Sequence, residues 1–183
     1  RSFFPPGTAR WGMPDTDRPN VVVIVADDLG WRDLGCYGSP FYETPNLDRL
    51  AAEGVRFENA NSTYPICVPT RFTFLTGEPA HTRYVPGIDW RMSPTERTLA
   101  HEFGEAGYRT AYLGKWHLYG QDHSPEEQFV PPGPNRLGFD DEWKAYNFNH
   151  DYYDGFYYGD TFDRVEIEGY QPHTMTDLAV DLL

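Results

Sequence analysis

Apolar residues fall along this chain in two periods. Val21 to Ala26 is an unbroken run of β-branched type, which predicts a strand buried on both faces and central in a parallel sheet. Leu47, Leu50 and Ala51 recur at helical spacing after Thr44-Pro45, a capping residue followed by a proline suited to the first turn, and Gly54 marks the stop. Val55-Arg56-Phe57 alternates as a short strand. The segment after Cys67 reads as a short helix closed by Gly77. Thr95 or Thr98 caps a further helix with Leu99, Phe103 and Ala106 on one face, ended by Gly107. Tyr108 to Leu113 predicts another strand and Val165 to Glu168 a shorter one. Thr174 then caps a helix through Met175, Leu178, Ala179 and Leu182 that reaches the last residue with no stop signal. Strands separated by helical segments predict an α/β chain.

Outside these elements the pattern is polar. Residues 1–19 are rich in proline, glycine and charge and read as an irregular arm. Residues 120–164 read as one long loop region that sets Tyr146, Phe148, Tyr152, Tyr153, Phe156, Tyr157, Tyr158 and Phe162 among Asp, Asn and Gly. A connection of that length inside a domain is usually functional or conceals elements. Its aromatic faces could pack on sugar rings, with His150 and Asp151 as polar contacts, or could pack the loop onto its own domain.

Composition narrows the functional classes. The 183 residues are 39% hydrophobic, enough for one globular core. No run of about 18 apolar residues occurs, so no membrane span is expected. The start at Arg1 rather than methionine implies processing or a segment boundary, so a missing leader says nothing about secretion. Two cysteines cannot build a disulfide framework, and Cys36 reads as structural. With 28 acidic against 15 basic residues and a net charge of −13, a nucleic-acid partner is disfavoured. An anionic substrate would need a local positive field, for which Arg71, Lys115 and a metal are the candidates.

Candidate chemistry sits at the element ends. Cys67 lies at a predicted helix N-terminus, where unpaired backbone N–H groups favour negative charge, and Arg71 one turn later can point back over it. Asp27-Asp28 ends the Val21–Ala26 run, where adjacent carboxylates suit either a hard divalent cation or ordinary turn chemistry. If the chain stays extended past Leu113, Lys115 and His117 face the same side.

Two segments carry a family resemblance. Cys67-Val68-Pro69-Thr70-Arg71 through Leu75-Thr76-Gly77 resembles the sulfatase signature C-x-P-S-R-x-x-x-L-T-G, with Thr70 where serine is usual. Gly107-Tyr108-Arg109-Thr110-Ala111-Tyr112-Leu113-Gly114-Lys115-Trp116-His117 resembles the second signature of that family, in the expected order. The resemblance implies an alkaline-phosphatase-like α/β fold with a mostly parallel central sheet flanked by helices. Residues 20–183 would be its N-terminal portion, the remainder being a continuation or a second chain. It also implies that Cys67 is oxidised to formylglycine, the nucleophile, and that Asp27, Asp28 and the modified Cys67 bind a metal, usually Ca2+ with Mg2+ as a substitute. By the same likeness Arg71 holds the nucleophile's hydroxyls, Lys115 binds sulfate and His117 takes a proton when the sulfated intermediate breaks down. The implied partner is a sulfated small molecule or glycan, and the implied location is periplasmic, secreted or lysosome-like. A phosphonate or phosphodiester hydrolase on the same scaffold, or a sulfated-glycan binder with Cys67 left as a thiol, are the alternatives.

Overall fold

A computed structural model describes residues 18–120 and 124–183, so most of the expected arm at 1–19 lies outside the described residues. The chain divides into two compact units, Arg1–Arg56 and Phe57–Leu183.

In the first unit the expected helix forms as α1, Pro45–Glu53, with proline in its first turn and Gly54 at its end. Thr44 binds sideways rather than capping in the usual way. Its hydroxyl accepts from Gly35 N–H at 2.8 Å and donates to Asp48 Oδ1 at 2.9 Å, and the same Asp48 oxygen accepts from Cys36 N–H at 2.7 Å. Asp48 therefore fastens a 3₁₀ turn at Gly35–Tyr37 onto α1, and the Cys36 carbonyl accepts from Arg56. The predicted strands at Val21–Ala26 and Val55–Phe57 do not form. Val21 to Val25 are exposed, Ile24 by 87%, because an extended run gains a ladder only from a neighbouring strand and the described residues of this unit supply none.

The second unit holds a four-stranded sheet in the order β1 (Ala111–Lys115), β2 (Glu142–Tyr146), β3 (Gly155–Tyr158), β4 (Arg164–Ile167). The β1–β2 pair is parallel, with Ala111 opposite Glu142 and Lys115 opposite Tyr146, and the other two pairs are antiparallel. This sheet is thus mostly antiparallel, and its parallel part is the β1–β2 ladder. That parallel pair requires a long crossover, which residues 116–141 provide through the short helix α4, Pro125–Gln128. The stretch 120–164 is therefore not one loop. Within it β2 alternates buried Trp143 and Ala145 with half-buried Glu142, Lys144 and Tyr146, a period of two that marks a strand.

Helix α2, Cys67–Thr76, buries Val68, Phe72 and Leu75 at positions i, i+4 and i+7 against a core containing Trp116, Leu118 and Trp143. Gly77 closes it with φ 72°, the left-handed value that suits glycine. Helix α3, Leu99–Glu105, begins after Thr98, whose hydroxyl donates to the Leu137 carbonyl at 2.6 Å and whose N–H donates to His101 Nδ1 at 3.1 Å. Gly138 lets that loop approach closely: with φ 92°, a Cβ there would stand 2.9 Å from the His101 nitrogen. Helix α5 spans Gln171–Val180 with Tyr170 as its cap, so it starts four residues earlier than the sequence suggests (174 minus 170), Thr174 lies inside it and Pro172 occupies its first turn. Among the described residues no helix is long and apolar enough to cross a membrane.

Candidate active site

Cys67 is the first residue of α2 and half-buried. The turn before it is held from within the helix. The Thr70 hydroxyl donates to the Tyr64 carbonyl at 2.6 Å and lies 3.0 Å from Ser62 Oγ, while Thr70 N–H donates to the Ile66 carbonyl at 2.9 Å. The Thr70 hydroxyl thus makes a bond that a serine hydroxyl could also make.

Cys67 and Arg71 occupy one stripe of α2 beside its buried stripe. The Arg71 guanidinium extends to β1, where Nη1 donates to the Lys115 carbonyl at 2.6 Å and to Tyr112 Oη at 3.2 Å. Tyr112 Oη donates to that same carbonyl at 2.6 Å. The two Arg71 bonds pin the end of β1 to α2, and the Lys115 ammonium there stands beside Cys67: Nζ lies 3.8 Å from Sγ. A positive charge thus stands where negative charge on residue 67 would develop.

The expected extension past Leu113 holds as far as Lys115, where β1 ends, and fails at His117, whose φ is 53°; Gly114, inside the strand, has φ 92°. Lys115 and His117 nevertheless meet one group. The Phe148 ring centroid lies 4.8 Å from Lys115 Nζ and 4.5 Å from the His117 ring. His117 is only 4% exposed, deeper than its sequence context suggests. Its left-handed conformation is stabilised by Asn147, whose carbonyl accepts from His117 N–H at 2.7 Å. The fully buried Asn147 side chain also accepts from Tyr119 N–H and donates to the Gly120 carbonyl, each at 3.1 Å. Phe148 N–H is fixed by Gln128 Oε1 at 2.8 Å.

Of the expected substrate contacts, the exposed His150 lies against Phe148 with ring centroids 4.6 Å apart and planes inclined by 49°, so it belongs to the same group. Exposed Asp151 donates its N–H to Asn149 Oδ1 at 3.1 Å. Sequence reading missed Tyr112 and Asn147 as scaffold residues. The only sequence signal for Asn147 was its place at the end of the Trp143–Ala145 alternation.

Asp27 and Asp28 belong to the first unit. Asp28 has φ 60° in a turn, so the turn chemistry of an Asp pair is present. Their carboxylates are the hard oxygen donors that Ca2+ takes, but two residues fall short of the six or more oxygens such an ion needs. Among the described residues no group of three or more His, Cys, Asp and Glu converges. The pair fits a metal in kind and supplies part of a donor set.

A family model described as Sulfatase matches residues 19–183, and this chain belongs to the sulfatase family. It is 43% identical to human arylsulfatase A over 130 residues, covering 66% of this chain and 24% of that protein. It is 38% identical over 161 residues to an ulvan-active sulfatase of Formosa agariphila, covering 87% of this chain and 30% of the relative. A protein solved in complex with its substrate D-glucosamine-2-N,6-O-disulfate superposes with a TM-score of 0.75 at 29% identity, over 90% of this chain and 31% of that one. The chain thus spans about a quarter to a third of the length of these relatives, and its alkaline-phosphatase-like fold class is that of the family.

Proposed function

We propose that the polypeptide carrying this chain hydrolyses sulfate esters of a saccharide, with residue 67 as nucleophile. The observation that carries this reading is the Lys115 ammonium 3.8 Å from Cys67 Sγ at the start of α2. A relative named for ulvan and a structural neighbour bound to a sulfated glucosamine favour a saccharide over a simple aryl ester.

Each residue has a task set by its place. The N-terminus of α2 and Lys115 stabilise negative charge on residue 67 and on the sulfuryl oxygens. Arg71 holds Lys115 in place through the carbonyl and, being one turn from Cys67, borders the nucleophile. His117, against Phe148, would accept a proton as the ester of residue 67 breaks down. As formylglycine, residue 67 would supply a hydrated aldehyde, one hydroxyl to attack sulfur and the other to expel sulfate. Asp27 and Asp28 would hold a calcium ion with residue 67, and that ion would neutralise the transferring group. Release of the polypeptide into a periplasmic, lysosomal or extracellular space accords with this activity.

The test is sulfate release from sulfated saccharides, with the corresponding phosphate esters as controls. Turnover of sulfate esters that disappears in Cys67→Ala supports the proposal. Preferential turnover of phosphate esters would instead assign a phosphohydrolase.

A further inference from the structure

Three tyrosines outside the catalytic group form an open aromatic surface. Tyr170 lies 5.9 Å from Tyr152 and 5.5 Å from Tyr153, with ring planes inclined by 34° and 43°, and His173 packs edge-on to Tyr170 at 5.1 Å. Tyr152 and Tyr153 are 61% and 72% exposed, whereas Phe156 and Tyr158, from the same aromatic stretch, are buried in the sheet. The surface is built rather than loose. Gln171 N–H donates to the Tyr152 carbonyl at 2.7 Å, and Gly155 approaches the Gln171 side chain so closely that a Cβ would stand 2.8 Å from it.

We infer that Tyr152, Tyr153 and Tyr170 form a stacking subsite for an unsulfated pyranose ring of the same saccharide whose sulfate ester sits at residue 67. The inference rests on the saccharide sulfatase reading above. Its geometry comes from the chain itself: Tyr152 follows Phe148 by four residues, so their Cα atoms are at most roughly 14 Å apart. A short oligosaccharide spans that interval. Sugar rings present apolar C–H faces that pack on aromatic faces, while their hydroxyls need polar partners at the rim. Exposed Asp151 and Asp154 flank the tyrosines in sequence and accept hydrogen bonds from hydroxyls. The same carboxylates repel a second sulfate, which selects a ring without one.

The experiment compares kcat/KM of the full polypeptide for p-nitrophenyl sulfate and for an oligosaccharide series, from monosaccharide to tetrasaccharide, carrying one sulfate at the reducing or non-reducing end. The wild type should favour the longer saccharide. The double variant Tyr153→Ala, Tyr170→Ala should lower the tetrasaccharide to p-nitrophenyl sulfate ratio about tenfold, which corresponds to about 1.4 kcal/mol. Tyr153→Phe, which retains the ring, should hold the ratio near wild type. A wild type that hydrolyses p-nitrophenyl sulfate without any preference for chain length overturns the subsite. So does a double variant that loses both activities in equal proportion with a lower Tm, because the tyrosines would then be packing residues. A wild type that turns over no sulfate ester contradicts the sulfatase reading itself.

Discussion

The Lys115 ammonium stands 3.8 Å from the Cys67 sulfur although 48 positions separate the two residues (115 minus 67). The contact follows from two bonds to one carbonyl. Arg71 from α2 and Tyr112 from β1 both donate to Lys115 O at 2.6 Å, and Arg71 also donates to Tyr112 Oη at 3.2 Å, so β1 cannot drift from α2 without breaking both Arg71 bonds.

Lys115→Ala should lower turnover of sulfate esters by about 10²–10³, the usual cost of one donor aimed at developing charge. Stability should change little, because the backbone carbonyl that ties β1 to α2 remains. Paired kinetics and thermal melts check this, and an equal fall of activity and Tm would assign Lys115 a structural role.

Arg71→Lys should destabilise the second unit by about 1.5–3 kcal/mol, the range for a part-buried hydrogen bond from a charged group. Arg71 Nη1 donates to both Lys115 O and Tyr112 Oη, and the ammonium of the shorter lysine side chain falls short of that position. Urea denaturation measures the loss, and a wild-type midpoint would contradict it.

His117 combines a chemical and a backbone role. His117→Asn tolerates the left-handed conformation at φ 53° and should retain most stability while losing turnover. His117→Ala should lose turnover and also about 1–2 kcal/mol, from the left-handed backbone and the vacated volume of a buried side chain. Asn147→Ala should cost about 2–4 kcal/mol by leaving Tyr119 N–H and the Gly120 carbonyl without their partner. Melting temperatures of the three variants separate these effects.

How far the sequence foretold this arrangement varies by element. Helices α1, α2 and α3 were legible because each carries local punctuation: Thr44-Pro45 with Gly54, Cys67 with Gly77, and Thr98 with Gly107. Lys115 at a strand end was legible for the same local reason. The left-handed turn at His117 was not, since nothing about histidine requires positive φ, and it is imposed by Asn147 thirty residues later. The bond from Arg71 to the Lys115 carbonyl was not legible either, because it is a tertiary contact that no local pattern reveals. The Val21–Ala26 run shows the opposite failure: its pattern is that of a central strand, but pattern alone supplies no neighbour to pair with.

Removal of divalent metal by a chelator should abolish turnover by the full polypeptide, and calcium should restore it. Asp27→Asn and Asp28→Asn should each raise the calcium concentration for half-restoration by at least about tenfold, and should reduce the calcium-dependent rise in Tm. Identical calcium titrations of wild type and both variants would remove these carboxylates from the metal site.

The most direct test concerns the chemical state of residue 67 in material that turns over sulfate esters. Tryptic cleavage after Arg56 and Arg71 releases the peptide from Phe57 to Arg71, which contains this residue and no other cysteine. Its mass, measured after alkylation, should show a side chain converted from thiol to aldehyde and refractory to the alkylating reagent. A fully alkylated Cys67 in active material would contradict the formylglycine nucleophile.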